Sequence, residues 1–169
     1  KEEDLEKIRP LVRRRGQREP LQYIMGTTEF FGVELKVDSR ALIPRPETEY
    51  LAAQIVEKLP QVPHSILDLG TGSGALALSL AQHYIDAKVL ATDVSADAVA
   101  LAKENAAALN LADRVEVRES DWFAAIEDDA TYDLIVSNPP YLSEQETEET
   151  LTEVKDFEPR IALTPGGSE

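Results

Sequence analysis

The period of the apolar positions changes several times along the chain. Leu5, Ile8, Leu11 and Val12 recur at helical spacing in an otherwise charged stretch, which predicts a helix from Glu2 to about Arg15 with Gly16 as its stop. Residues 20–43 carry β-formers instead. Tyr23-Ile24-Met25-Gly26 is followed by Glu29 to Val37, where Val33, Leu35 and Val37 alternate; this predicts a small β-hairpin or extended linker. Ile43-Pro44-Arg45-Pro46-Glu47-Thr48-Glu49 then makes a proline-stiffened entry into a helix at about 47–59, with Leu51, Ile55 and Leu59 on one face.

From Ser65 the pattern becomes regular. Apolar runs at 66–69, 88–92, 115–118 and 132–137 predict four strands. Between them lie a helix at about 75–83 and another running from the cap residue Ser95 to about Leu109, with Val99, Ala102 and Ala106 on its buried face. Strands alternating with helices at this spacing imply right-handed crossovers and an α/β fold, a doubly wound, Rossmann-like parallel sheet. Four parallel strands leave a thin domain with an open edge. The sheet is therefore expected to be truncated after strand four, with residues 143–156 a polar stretch of helix or loop.

Composition narrows the function classes. The formal charge is −15, and the dense basic stretch, Arg13-Arg14-Arg15-Gly16-Gln17-Arg18, reads as a solvated helix end where cations suit the helix dipole. That balance speaks against stable nucleic-acid binding. No apolar run is long enough for a membrane helix, and the charged start Lys1-Glu2-Glu3-Asp4 lacks the core of a signal peptide. There is no cysteine, so thiolate chemistry is excluded and the cytoplasm is the expected compartment. His64 and His83 fall outside the motifs described next, and no metal is expected.

Asp68-Leu69-Gly70-Thr71-Gly72-Ser73-Gly74-Ala75 joins the first sheet strand to its helix. Glycines let the backbone turn tightly and approach a ligand, and a helix N-terminus offers N–H groups. Asp93 ends the next strand, where a carboxylate can accept both ribose hydroxyls. NAD and S-adenosylmethionine both fit this loop. Asp121-Trp122, after the third strand, supplies an acceptor for an adenine amino group and an apolar face.

Ser137-Asn138-Pro139-Pro140-Tyr141 follows the fourth strand. Proline cannot join a sheet ladder and restricts the residue before it, so Pro139 and Pro140 hold Asn138 stiffly at the strand's exit. An amide oxygen, a backbone carbonyl and a ring together suit a planar N–H₂ group. The Asn138 oxygen and the Pro139 carbonyl accept its two N–H groups, and Tyr141 stacks on its plane. Such an acceptor would suit a cofactor carrying a sulfonium methyl.

In this order, the motifs resemble the class I S-adenosylmethionine-dependent methyltransferases of the amino-group type. Pro20-Leu21-Gln22-Tyr23-Ile24-Met25-Gly26, Phe30 to Val37 and Leu42 to Glu49 narrow the resemblance to the release factor glutamine N5-methyltransferases. The resemblance implies methylation of the glutamine amide in the Gly-Gly-Gln motif of class I peptide chain release factors. The alternatives are glutamine methylation of a ribosomal protein and adenine N6-methylation of nucleic acid. It implies that residues 1–19 end an N-terminal helical domain, that 20–45 form a β-hairpin linker, and that 46–169 bind S-adenosylmethionine, giving S-adenosylhomocysteine. By position, Gly70, Thr71, Gly72, Ser73 and Gly74 would hold the methionine moiety, Asp93 the ribose, and Asp121 and Trp122 the adenine. Asn138, Pro139, Pro140 and Tyr141 would bind the glutamine, with Asn138 also facing the cofactor and Asn138, Pro139 and Tyr141 serving catalysis. Phe30, Arg45, Pro46, Glu47 and Thr48 are expected near the cofactor.

Overall fold

The computed structural model describes residues 2–165. Two helices come first, α1 (Glu2–Gly16) and α2 (Leu21–Met25), then a hairpin of β1 (Thr27–Phe30) and β2 (Val33–Lys36). The α/β unit follows: α3 (Pro46–Lys58), β3 (Ser65–Leu69), α4 (Ala75–His83), β4 (Lys88–Asp93), α5 (Ala96–Ala108), β5 (Val115–Glu119) and β6 (Leu134–Ser137). Short helices α6 (Glu144–Glu149) and α7 (Thr152–Lys155) and a 3-10 turn at Arg160–Ala162 complete it.

Strands β3 to β6 form one parallel sheet in the order β5-β4-β3-β6. The chain steps outward from β3 to β5, then returns to the other side of β3. That reversal opens a crevice beyond the carboxyl ends of the strands. Ile66 to Leu69 are all buried, as a central parallel strand requires. Helix α4 is buried from Ala75 to Ala81, and its apolar residues pack on the sheet core and on the hairpin residues Phe30, Val33 and Leu35. In α5, small residues at Ala98, Ala102 and Ala106 allow close packing, and Ser95 caps it by accepting from Ala98 N at 3.3 Å.

The hairpin turns through Phe31 and Gly32, both at positive φ (42° and 79°), the geometry of a two-residue primed turn. A helix side chain fastens it. Asn105, buried on α5, accepts from Lys36 N at 2.8 Å and donates to Lys36 O at 3.0 Å, as a neighbouring strand would. Its second N–H donates to Ser73 O in the glycine loop at 2.9 Å.

Tyr23 to Met25 differ from expectation: they form the helix α2, not extended chain. Pro20 precedes it and Gly26 ends it at φ 80°, so capping outweighs the β-forming tendency of a short segment. Tyr23 is an anchor; its buried hydroxyl donates to Ala41 O at 2.7 Å. In α1, Leu5, Ile8 and Val12 are exposed. The basic stretch beside it is engaged within the chain: Arg14 pairs with Glu19, and Arg15 and Arg18 share Glu153. No helix among the described residues is long and apolar enough to cross a membrane.

Beyond β6 the chain doubles back. Leu142 N donates to Leu163 O at 3.0 Å, and the hydroxyls of Thr147 and Thr164 lie 2.7 Å apart. The returning segment 158–165 lies against the entry to α3, where Arg45 donates to the buried carboxylate of Glu158 at 2.7 Å.

Candidate active site

A cavity of about 500 Å³ opens at the carboxyl ends of the sheet strands. Each strand contributes the residues that follow it. Gly70 to Ser73 come after β3, Val94 and Ser95 after Asp93 at the end of β4, Ser120 to Trp122 after β5, and Asn138 to Pro140 after β6. The far wall comes from Arg40 to Arg45 with Thr48, and from Pro159, Ile161 and Pro165 of the returning segment. The structure thus gathers four motifs that lie far apart in sequence.

Hydrogen bonding and charge around the glycine loop bear on the choice between the two cofactor classes. Gly70 N and Thr71 N both donate to Thr92 O, at 2.9 and 2.8 Å. Gly72 N donates to Asp93 Oδ2 at 2.8 Å, and Gly74 N to Thr71 O at 2.9 Å. These four amides are engaged within the fold, and the choice of ligand falls to the charge around the loop. Two carboxylates flank the loop instead. Asp93 is tied by Gly72 N and by Ser95 N (2.9 Å), and each of its oxygens keeps a lone pair for a hydroxyl. Asp68 is buried and lines the cavity. Its Oδ2 accepts from Thr71 Oγ1 at 2.7 Å and Ala77 N at 3.2 Å, while Oδ1 has no partner among the described residues. Burial pushes its pKa up to about 6, against the pull of those two donors. A buried carboxylate with an orphan oxygen calls for a cation or a donor, and a diphosphate beside it would be repelled. The loop is built for a cationic, hydroxyl-bearing ligand.

On the β6 side, Asn138 Nδ2 donates to Thr48 Oγ1 at 3.0 Å. The bond joins the end of β6 to the first turn of α3, 90 residues apart in sequence. Ser137 Oγ donates to Leu69 O at 2.9 Å, which holds the start of this exit against β3. Trp122 sits at positive φ (49°), which is uncommon for a bulky residue, and lies at the cavity rim with its side chain half exposed. Ser120 braces that turn, donating to Trp122 O and accepting from Ala125 N.

Several expected site residues lie elsewhere. Phe30 is 2% exposed and belongs to the core under the hairpin. Gly74 faces α5: a Cβ there would lie 2.9 Å from Leu78 Cδ1 and 3.4 Å from Ala102 Cβ, so this glycine serves helix packing rather than the cavity. Pro46 and Glu47 are exposed at the start of α3 and outside the lining, although Arg45 and Thr48 belong to it. Tyr141 is 78% exposed and is absent from the cavity wall. Sequence reasoning missed Asp68, whose burial beside the loop marks it, and the whole segment Pro159 to Pro165, which carries no chemical motif.

Residues 47–168 match the family model of the methyltransferase small domain. A release factor glutamine methyltransferase of Rhodopirellula baltica is 42% identical over 170 residues, covering 98% of this chain and 57% of that protein. One from Koribacter versatilis is 46% identical over 156 residues, covering 92% of this chain and 55% of its own length. Across the curated relatives compared, the chain spans between 48% and 60% of their length. Among solved structures, the human METTL16 catalytic domain in complex with a MAT2A 3′UTR hairpin superposes with a TM-score of 0.66. It covers 87% of this chain and 57% of that one at 20% identity, a likeness of fold. By its matched domain and its site architecture, the chain belongs to the methyltransferase small-domain family.

Proposed function

We propose that this chain carries the catalytic domain of an S-adenosylmethionine-dependent enzyme that methylates the glutamine side-chain amide in the Gly-Gly-Gln motif of class I peptide chain release factors. The observation that carries the reading is the shared cavity. Asn138 and the Pro139-Pro140 turn open onto the same space as the glycine loop and its two carboxylates. The relatives named as release factor glutamine methyltransferases support the choice of a protein amide. So does the charge of −15, which opposes a polyanionic substrate. A substrate in translation places the enzyme in the cytoplasm.

The residues present fit the cofactor. Asp68 Oδ1, buried and unpartnered, suits an ammonium group. Asp93 suits ribose hydroxyls, and Asp121 with Trp122 suits an adenine at the rim. When bound, S-adenosylmethionine supplies an electrophilic methyl group. The chain's own part is to hold the acceptor nitrogen. Asn138 Oδ1 and the Pro139 carbonyl accept its two N–H groups, orient its lone pair, and stabilise the positive charge that grows on it. That charge makes the nitrogen acidic, so one proton passes to water without a strong base. Orientation of this kind is worth roughly 7–11 kcal/mol of a barrier at most. Tyr141 is exposed and stands outside the cavity wall.

The test is mass spectrometry of a Gly-Gly-Gln peptide and of an intact class I release factor after incubation with isotopically labelled S-adenosylmethionine. A gain of one labelled methyl on the glutamine, lost in Asn138→Ala while cofactor binding persists, is the expected result. Label on an adenine-containing oligonucleotide instead, or undiminished transfer by Asn138→Ala, overturns the reading.

A further inference from the structure

An asparagine amide has two nearly isosteric ends with opposite hydrogen-bonding character. The acceptor site proposed above works only with Oδ1 turned toward the incoming nitrogen. With the amide reversed, Nδ2 would present N–H to N–H, donor against donor. Pro139 and Pro140 fix the backbone of Asn138 but leave this last torsion undecided, because sterics barely distinguish O from NH₂. Something else in the site must decide it.

The Asn138 amide makes its side-chain hydrogen bond to Thr48 Oγ1, with Nδ2 donating at 3.0 Å. Both residues line the cavity. Thr48 is well placed to hold this bond. It lies in the first turn of α3, where its own N–H donates to Arg45 O at 3.0 Å. Pro46 fixes the start of that turn, and Arg45 is tethered to the buried Glu158. A β-branched side chain on such a turn has few χ1 options. The hydroxyl is thus presented from a braced position rather than from a mobile loop.

We propose that Thr48 is a positioning residue that holds the catalytic amide in its working orientation. Its hydroxyl accepts a hydrogen bond from Nδ2, which leaves Asn138 Oδ1 for the acceptor nitrogen. The inference rests on the methyl-transfer reading above. It also gives the upstream segment Leu42 to Glu49 a direct link to the residues after β6.

The experiment compares Thr48→Val, which keeps the shape and removes the acceptor, with Thr48→Ser, which keeps the acceptor. Thr48→Val is expected to lower kcat on the Gly-Gly-Gln peptide roughly 10- to 100-fold, with KM and S-adenosylmethionine affinity little changed. Thr48→Ser is expected to restore most of the rate. A second readout needs no substrate. In nuclear magnetic resonance spectra of the wild-type chain, one Asn138 side-chain amide proton should exchange slowly, and Thr48→Val should abolish that protection. An unprotected Asn138 amide in the wild type overturns the proposal. So does an unchanged kcat in Thr48→Val, a loss confined to KM, or a failure of Thr48→Ser to rescue. A wild-type chain that methylates no glutamine overturns the functional reading, while the amide signal still decides the orientation.

Discussion

The cavity has two walls of unlike construction. One, from Asp68 to Asp93, is built by neighbours: β3, the glycine loop and the start of α4 lie in one stretch, and β4 pairs directly beside them. Asp68 Oδ1 apart, its carboxylates pair with donors within a few residues of the two strand ends. The other wall joins the entry to α3, the exit of β6 and the returning segment. It is held by Asn138 to Thr48, 90 residues apart, and Arg45 to Glu158, 113 apart. The first wall binds tightly within itself and so presets a ligand pocket. The second rests on a few long-range bonds, and its stability against local opening is correspondingly lower.

Three substitutions probe that contrast, taken from the largest expected effect. Gly74→Ala strikes the helix packing behind the local wall. A side chain there meets Leu78 and Ala102 at a φ of 87°, so global stability should fall by about 2–3 kcal/mol. Chemical denaturation measures it; a loss below about 0.5 kcal/mol would show that the wall yields easily.

Asp68→Asn probes the same wall in the opposite sense. The folded-state pKa of Asp68 is raised to about 6, above the ordinary carboxylate value. A raised carboxylate holds its proton more tightly in the folded chain. Its favourable contribution is therefore complete below about pH 4 and is lost as pH rises through about 6. Without cofactor, Asp68→Asn should be more stable than the wild type by about 1–3 kcal/mol at pH 7 and should lose that advantage near pH 4. Its affinity for S-adenosylmethionine should fall. Equal stability of the two proteins across that range would mean that the orphan oxygen carries no strain.

Arg45→Ala strikes the distant wall and should leave Glu158 buried without its cationic partner, the Ile43 backbone bond remaining. The expected cost is about 1–2 kcal/mol, felt locally. Hydrogen exchange at Leu142, Leu163 and Thr164 should accelerate, while the amides of β3 and β4 keep their protection. Equal acceleration across the sheet would erase the distinction between the walls.

The same contrast explains what the sequence revealed. The strands and helices from Ser65 to Glu119 were legible because each is set by local periodicity and capping, as at Ser95. The glycine loop, Asp93 and Asn138 were expected together because the proposed chemistry needs those residue types, and they line one cavity. What escaped was non-local. Phe30 looked like a site aromatic until its core contacts were visible, and Gly74 looked like a ligand glycine until Leu78 and Ala102 closed on it. The returning segment shows no motif because its role is to be near Arg45. Tyr23 to Met25 failed for a local reason: five residues between a proline and a left-handed glycine are too few for propensity to decide.

Asn105 carries a consequence of its own. Both backbone polar groups of Lys36 close on that single amide, which favours docking of the hairpin with Lys36 opposite it. Sliding β2 by one residue would break both bonds and turn Val33 and Leu35 toward water. The register of the hairpin is therefore set by a helix side chain 69 residues downstream, not by strand pairing alone.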